Sequence, residues 1–261
     1  MPVKDEVIDT TNWNYTPEVA VILPCHNEAD IIDKVVLEFH EELKGKIPFE
    51  IVVCEDGSTD GTKDVLRKLS KDIPMKAILG YERKGYAGGL KDGLKLVRAK
   101  YTFFVDADGQ HTAADFWKLY ALRKQYDAVS GWRVKRADNF YRRIMSKSFQ
   151  LLAKLFFGLP KFRDITAPFK LTETEKAKAI AKECDYMKES FWTEFTIRMV
   201  NHGFQVLEVP VRHRERLGGS TQVYKMSKIP KIVTSQLLGL LKIRLETSNT
   251  SNDQKQHLRQ T

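Results

Sequence analysis

The chain has 261 residues, 42% of them hydrophobic, 10% aromatic and 30% charged, with a formal net charge of +9. A chain of this size can withdraw about 70–75% of its extended surface from water, which excludes intrinsic disorder and fits one large α/β domain or two small ones. No run approaches the roughly 18 apolar residues of a membrane-spanning helix, and the start Met1-Pro2-Val3-Lys4-Asp5-Glu6 lacks the features of a signal peptide, so the chain is expected on the cytoplasmic side.

Strand and helix alternate through the first half. Val19 to Pro24 is a short β-branched apolar run, followed by Ile31, Ile32, Val35, Val36, Phe39 and Leu43 at helical spacing, with Asn27 as the predicted N-cap. Ile51 to Cys54 predicts a second strand, and Val65, Leu66 and Leu69 mark the helix after it. Met75 to Leu79 predicts a third strand with a helix from about Leu90 to Val97, and Tyr101 to Val105 a fourth. Such continuous apolar strands are what a parallel sheet covered by helices on both faces requires. Ligands of such sheets sit beyond the carboxyl ends of the strands.

The pattern changes after Asp127 to Trp132. Between Phe140 and Phe157, Tyr141, Ile144, Met145, Leu152, Leu155 and Phe156 share one helical face, with Arg143, Lys147, Gln150 and Lys154 opposite. A second amphipathic helix is predicted from Ile229 to Leu245, with Ile232, Val233, Leu237, Leu240 and Leu241 facing away from Lys228, Lys231, Ser235 and Lys242. From residue 246 to 261 the chain is polar and without aromatics, which predicts a disordered tail. Residues 134–163 and 211–244 each carry eight basic side chains against one acidic, so the positive field belongs to the second half. Such a field draws nucleic acid, anionic headgroups or phosphorylated substrates. Cys25, Cys54 and Cys184 form no paired motif and are read as reduced, and the histidines form no zinc pattern.

The polar clusters follow the strands. Asp106-Ala107-Asp108-Gly109-Gln110-His111 offers two carboxylates one residue apart and an amide oxygen two residues further on, hard oxygen ligands suited to Mg²⁺ or Mn²⁺. Asp56 to Thr62 follows the second strand: Asp56 can accept hydrogen bonds from a base or ribose, and Asp60 reads as a helix cap. Glu28, in Pro24-Cys25-His26-Asn27-Glu28, falls near the same edge. Gly85-Tyr86-Ala87-Gly88-Gly89 is similar to a phosphate-cradling loop but matches neither the Walker pattern nor the dinucleotide fingerprint.

Together, Pro24 to Glu28, Glu55 to Thr62, the Gly85 run and Asp106 to His111 resemble the family 2 glycosyltransferases of GT-A fold, and within them the dolichyl-phosphate mannose synthase-like, polyprenyl-phosphate branch. The resemblance covers about residues 18–244 and implies a single Rossmann-like α/β domain over 18–245, with a nucleotide-sugar half to about 133 and an acceptor half from 134. It implies transfer of a sugar, with inversion, from a nucleotide diphosphate donor to a polyprenyl or dolichyl phosphate. GDP-mannose is the first candidate donor, ahead of UDP-glucose. By the resemblance, Pro24, His26, Glu28, Cys54 and Asp56 line the nucleoside pocket. Asp106, Asp108 and Gln110, with Ala107 between them, hold metal and diphosphate. Arg133 matches an arginine near the donor phosphates, and Arg214 is chosen from the basic run 212–216, which with Gly218 to Thr221 resembles a phosphate-binding loop. The chain departs from the family after Asp164, where Ile165-Thr166-Ala167-Pro168 replaces Ser-Gly-Phe, and after His111, where Thr112-Ala113 replaces prolines. Many relatives also carry C-terminal membrane helices, for which no apolar run is found here.

A phosphate monoester is mostly dianionic at neutral pH and can attack without a base. A hydroxyl acceptor on a growing glycan would need one, with Asp164 or Glu194 as candidates. The two basic amphipathic helices fit peripheral attachment to an anionic membrane surface. A catalytically silent nucleotide-binding module is the alternative from another class, whereas no motif supports nucleic acid as a partner.

Overall fold

The computed structural model describes residues 4–12, 14–134, 140–159, 161–216 and 229–260, at the level of the backbone alone for 140–145, 229–231 and 248–260. Lys135, Arg136, Asp138, Gly218 to Thr221, Lys225 and Lys228 lie outside the described residues, as do the side chains of Tyr141, Arg142, Arg143, Ile144, Met145 and Lys231.

The expected strands and helices form: β2 (Val19–Cys25), α1 (Ile32–Leu43), β3 (Phe49–Glu55), α2 (Thr62–Asp72), β4 (Lys76–Leu79), α3 (Tyr86–Leu96), β5 (Tyr101–Phe104), β6 (Ala128–Arg133) and α5 (Phe140–Phe157), and a short unexpected helix, α4 (Phe116–Tyr120), stands between β5 and β6. Around them stand β1 (Glu6–Asp9), β7 (Lys170–Glu173), α6 (Thr174–Glu183), α7 (Phe191–Asn201), β8 (Val206–Val211) and α8 (Ile229–Gln260). The strands make one sheet in the order β1-β4-β3-β2-β5-β7-β6-β8. Six strands share a direction; β1 pairs antiparallel with β4, and β7 lies antiparallel between β5 and β6. The predicted α/β sandwich is thus present, with an antiparallel insertion that the sequence did not announce.

β2 shows why its run is unbroken. Val19, Val21, Leu23 and Cys25 enter the core beneath α1 and α2, and Ala20 and Ile22 enter the core on the α3 side. Chain order reverses at β2, where β3 and β4 build to one side and β5 to the other. That switch point opens a crevice at the carboxyl ends. Phe103 of β5 is wedged among Phe39, Phe116 and Phe169, with centroids 4.7–5.8 Å away. Such pairs add about 0.5–1.5 kcal/mol each beyond their buried area, and they set the floor from which Asp106 projects.

Two expectations are corrected. Asn27 does not cap α1: its backbone is left-handed (φ 55°), its Oδ1 accepts the Thr59 N–H at 2.9 Å, and the helix begins at Ile32 without a side-chain cap. The Gly85 run is no free loop: α3 starts at Tyr86, so Gly88 and Gly89 lie in its first turns. The backbone of α8 runs as helix from Ile229 to Gln260.

α3 approaches the sheet so closely that a Cβ on Gly93 would stand 2.0 Å from Cys54 Sγ. Gly93→Ala is expected to cost about 2 kcal/mol by overpacking, read as a lowered unfolding midpoint in denaturant. Adding Cys54→Ala should recover most of the loss, since the two changes share one contact.

Candidate functional site

The polar ends of β2, β3, β5 and β6 meet at one edge, and hydrogen bonds between loops hold them there. After β2, the Asn27, Glu28 and Ala29 N–H groups donate to Ser58 Oγ, Thr62 Oγ1 and Asp60 Oδ2 at 2.9–3.1 Å. Asp60 also accepts the Thr62 N–H at 3.1 Å at the start of α2, close to its predicted role, although Gly61 occupies the cap position itself. His26 Nδ1 lies 2.7 Å from the Asp56 carbonyl. Buried Asp56 accepts the N–H groups of Lys84 (2.6 Å) and Gly85 (2.9 Å), so its carboxylate anchors the entry to α3. Pro24 lies beside Cys54 in the sheet. The Cys54 thiol is buried in the core against Gly93, where burial raises it above the usual thiol range, so its side chain does not face the crevice. Ala107 is likewise buried in the core.

Asp106 and Asp108 stand at the mouth of β5. Withdrawal from water, and then the charge of Asp108, push the Asp106 carboxyl up to about 7. The Tyr86 hydroxyl donates to Asp106 Oδ1 at 2.8 Å and receives the Trp192 indole N–H at 2.7 Å. The Gln110 N–H donates to Asp108 Oδ1 at 3.0 Å, while Gln110 Nε2 reaches the Arg214 carbonyl at 3.4 Å. His111 stacks on Phe169 at 4.7 Å, fastening the loop to the core; burial holds its imidazole well below the usual range and hence neutral.

Three arginines divide the work. Arg133, at the end of β6, makes a two-pronged pair with buried Asp164, Nε to Oδ2 at 2.7 Å and Nη2 to Oδ1 at 2.9 Å, and also reaches Thr166 Oγ1. Glu208 accepts the Asp164 N–H at 2.8 Å. Arg214, the arginine expected at the phosphates, instead ties the Gly109 carbonyl to Glu38 of α1. Arg216, two residues on, pairs with Glu28 and lies 3.9 Å from Asp108 Oδ2. Desolvation raises the Glu28 carboxyl, with Arg216 opposing the shift. Arg216, Tyr86 and Trp192 are site residues to which motif reading assigns no role of their own: Tyr86 lies in the Gly85 run, Arg216 in the basic run 212–216, and Trp192 in no motif.

Glu194, a candidate base, is buried in α7, accepts the N–H groups of Tyr186 and Met187 at 3.0 and 2.8 Å, and pairs with Arg198 at 2.9 Å. It stands with the structural network that reaches Glu246 of α8. Among the described residues, no group of three or more His, Cys, Asp or Glu could hold a metal ion. A cation here would therefore rely on the Asp106–Asp108 pair plus oxygens from water and phosphate, a donor set that Mg²⁺ and Mn²⁺ accept.

Residues 20–179 match the family described as Glycosyl transferase family 2. Over 210 residues the chain is 30% identical to Glycosyltransferase AglD of Haloferax volcanii, covering 74% of this chain and 32% of that protein. Over 245 residues it is 27% identical to Dolichol-phosphate mannosyltransferase of Pyrococcus furiosus, covering 85% of this chain and 68% of that protein. The solved structure of mannosyltransferase PcManGT from Pyrobaculum calidifontis, in complex with GDP-Man and Mn²⁺, shares the fold with a TM-score of 0.60 at 22% identity, covering 88% of this chain and 65% of that chain. The chain thus spans about a third of AglD and about two thirds of the other two.

Because Glu194 is committed to a buried arginine, Glu194→Gln is expected to cost about 3 kcal/mol of stability. The folded fraction should keep wild-type kinetic constants; a thermal melt paired with active-site titration separates the two effects.

Proposed function

Because the chain belongs to glycosyl transferase family 2, we propose that this glycosyltransferase moves a sugar, mannose from GDP-mannose in the first instance, onto a polyprenyl or dolichyl phosphate at the cytoplasmic face of a membrane. Residues of about 18–133 bind the donor, and those of about 134–245 receive the acceptor. The observation that carries the acceptor class is the state of the two candidate bases. Asp164 is clamped by Arg133 and Glu194 by Arg198, so neither carboxylate is available to deprotonate a hydroxyl. A phosphate monoester, with its second pKa near 6, needs no such help. Its oxygen attacks the anomeric carbon as the bond to the nucleoside diphosphate breaks.

Asp106 and Asp108 are the residues to hold a divalent cation, with Gln110 beside them, and that cation supplies charge stabilisation for the departing diphosphate. Crowded carboxylates, one of them pushed up to about 7, suit such a guest. Arg216 stands at the same edge, where a guanidinium can meet phosphate oxygens, and Arg133, its Nε and Nη2 held by Asp164, adds positive charge there. Glu28 and the His26–Asp56 contact form the nucleoside end. The relatives named for dolichol phosphate and for a GDP-Man complex support donor and acceptor alike.

Attachment to the lipid surface rests on α5 and α8. Ala153, Phe157, Leu240 and Ile243 pack into a small core of their own, while Leu151, Leu152 and Leu155 of α5 and Val233, Leu237, Leu238, Leu241 and Leu245 of α8 are exposed. Their apolar faces are wider than the body covers. A cavity of about 430 Å³ joins Leu238 and Lys242 to Tyr186. Among the described residues no helix is long and apolar enough to cross a membrane, so these faces would lie in the headgroup region beside basic side chains.

The deciding experiment follows label from a panel of nucleotide sugars into organic-extractable polyprenyl phosphate with Mn²⁺ or Mg²⁺. Labelled lipid from GDP-mannose, absent with Asp108→Asn, is the expected result. Donor binding with no lipid product would move the reading to a hydroxyl acceptor. Sedimentation with anionic vesicles is expected to retain the protein at low salt, less at high salt, and less again after Leu155→Glu with Leu238→Glu. No retention at low salt would remove the membrane from the proposal.

A further inference from the structure

Asp106 has a partner in the Gly85 run, one to which motif reading assigns no role of its own. Tyr86 is the first residue of α3, and its hydroxyl stands between two groups whose roles are chemically fixed. The indole N–H of Trp192 can only donate, and it points to Tyr86 Oη at 2.7 Å. The single hydroxyl proton therefore goes to the remaining neighbour, Asp106 Oδ1, at 2.8 Å. Each partner is fixed in turn. The Tyr86 ring lies edge-on to Trp192 at 6.2 Å, and Trp192 packs edge-on against Phe104 of β5 at 5.0 Å and Phe195 of α7 at 5.4 Å. Residues 86, 106 and 192 thus form one directed chain of hydrogen bonds, from the aromatic core of α7 to the first acid of the pair.

We propose that Trp192 and Tyr86 are positioning residues that hold Asp106 by one oxygen and thereby set the affinity of the Asp106–Asp108 pair for a divalent cation. The inference rests on the reading of that pair as a cation site. A carboxylate free to rotate must be ordered when the ion arrives; one already held at Oδ1 is not. Outer partners of this kind commonly govern affinity by about 10–100-fold. They would also link α7, in the acceptor half, to the donor half through a contact that breaks if α7 shifts.

The test is direct binding of Mn²⁺ to the full chain, read from the loss of its free-ion electron paramagnetic resonance signal, with Asp108→Asn as reference. Tyr86→Phe keeps the ring and removes only the hydroxyl. It is expected to weaken Mn²⁺ binding by about tenfold or more and to raise the Mn²⁺ concentration for half-maximal turnover, with kcat at saturating Mn²⁺ little changed. Trp192→Phe, which keeps an aromatic ring but no donor, should weaken binding in the same direction by a smaller factor, and gives a second reading if either variant folds poorly. Unchanged or tighter Mn²⁺ binding in folded Tyr86→Phe would overturn the inference while leaving the cation site in place. Wild-type protein that binds no Mn²⁺, or binds it as well after Asp108→Asn, would overturn the cation reading and this inference with it.

Discussion

Asp106 and Asp108 place two like charges one residue apart in a recess of the sheet edge, and neighbouring carboxylates there resist joint ionisation. The surroundings answer that strain at every side: the Tyr86 hydroxyl on one acid, the Gln110 N–H on the other, and the Arg216 guanidinium spanning toward Glu28. Burial, and after it the charge of Asp108, still pushes the Asp106 carboxyl up. A folded chain that keeps such a pair concentrates negative potential at this edge, just past β5, whose Phe103 packs among Phe116 and Phe169.

Much of the remaining polar character of the site is scaffold. Asn27, Ser58, Asp60 and Thr62 bond to one another across the β2 and β3 loops, and Asp56 holds the first amides of α3. These are residue types that free loops and ligand pockets share, because both need short side chains that accept from backbone N–H groups. Their effect on function is indirect but large. They fix the spacing of Glu28 from Asp108, and Arg216 bridges the two.

What could be read in advance follows from range. β2, β3, β4 and β5 are legible because burial on both faces leaves continuous apolar runs, and the acid pair is legible because both members sit on one loop. β1 is a four-residue edge with two acids, and β7 begins with Lys170, a buried cation that bonds Ser130 Oγ at 2.7 Å, so neither announces a strand. Arg214 and Arg216 look equivalent in sequence; only the path of the segment past α1 sends the first to Glu38 and the second to Glu28. The Trp192–Tyr86–Asp106 chain joins three distant stretches, and no local spacing encodes it. Cys54 entered the nucleoside set through the family resemblance alone; the strand's alternation turns its thiol toward Gly93.

Asp164 shows how local context changes the meaning of a carboxylate. Isolated at the rim of a crevice it would be a base; here both of its oxygens are gripped by Arg133 and Thr166 donates to one of them, so it serves as the anchor of a guanidinium. The same pair orients Arg133 at the end of β6, so the acid acts through the arginine. Chemistry that needs no proton removed from the acceptor is consistent with such an arrangement, and chemistry that does need it would have to break a buried, two-pronged ion pair before each turnover. On the proposed function the acceptor is an anion that needs no base, and the exposed apolar residues of α5 and α8 are where its lipid would lie.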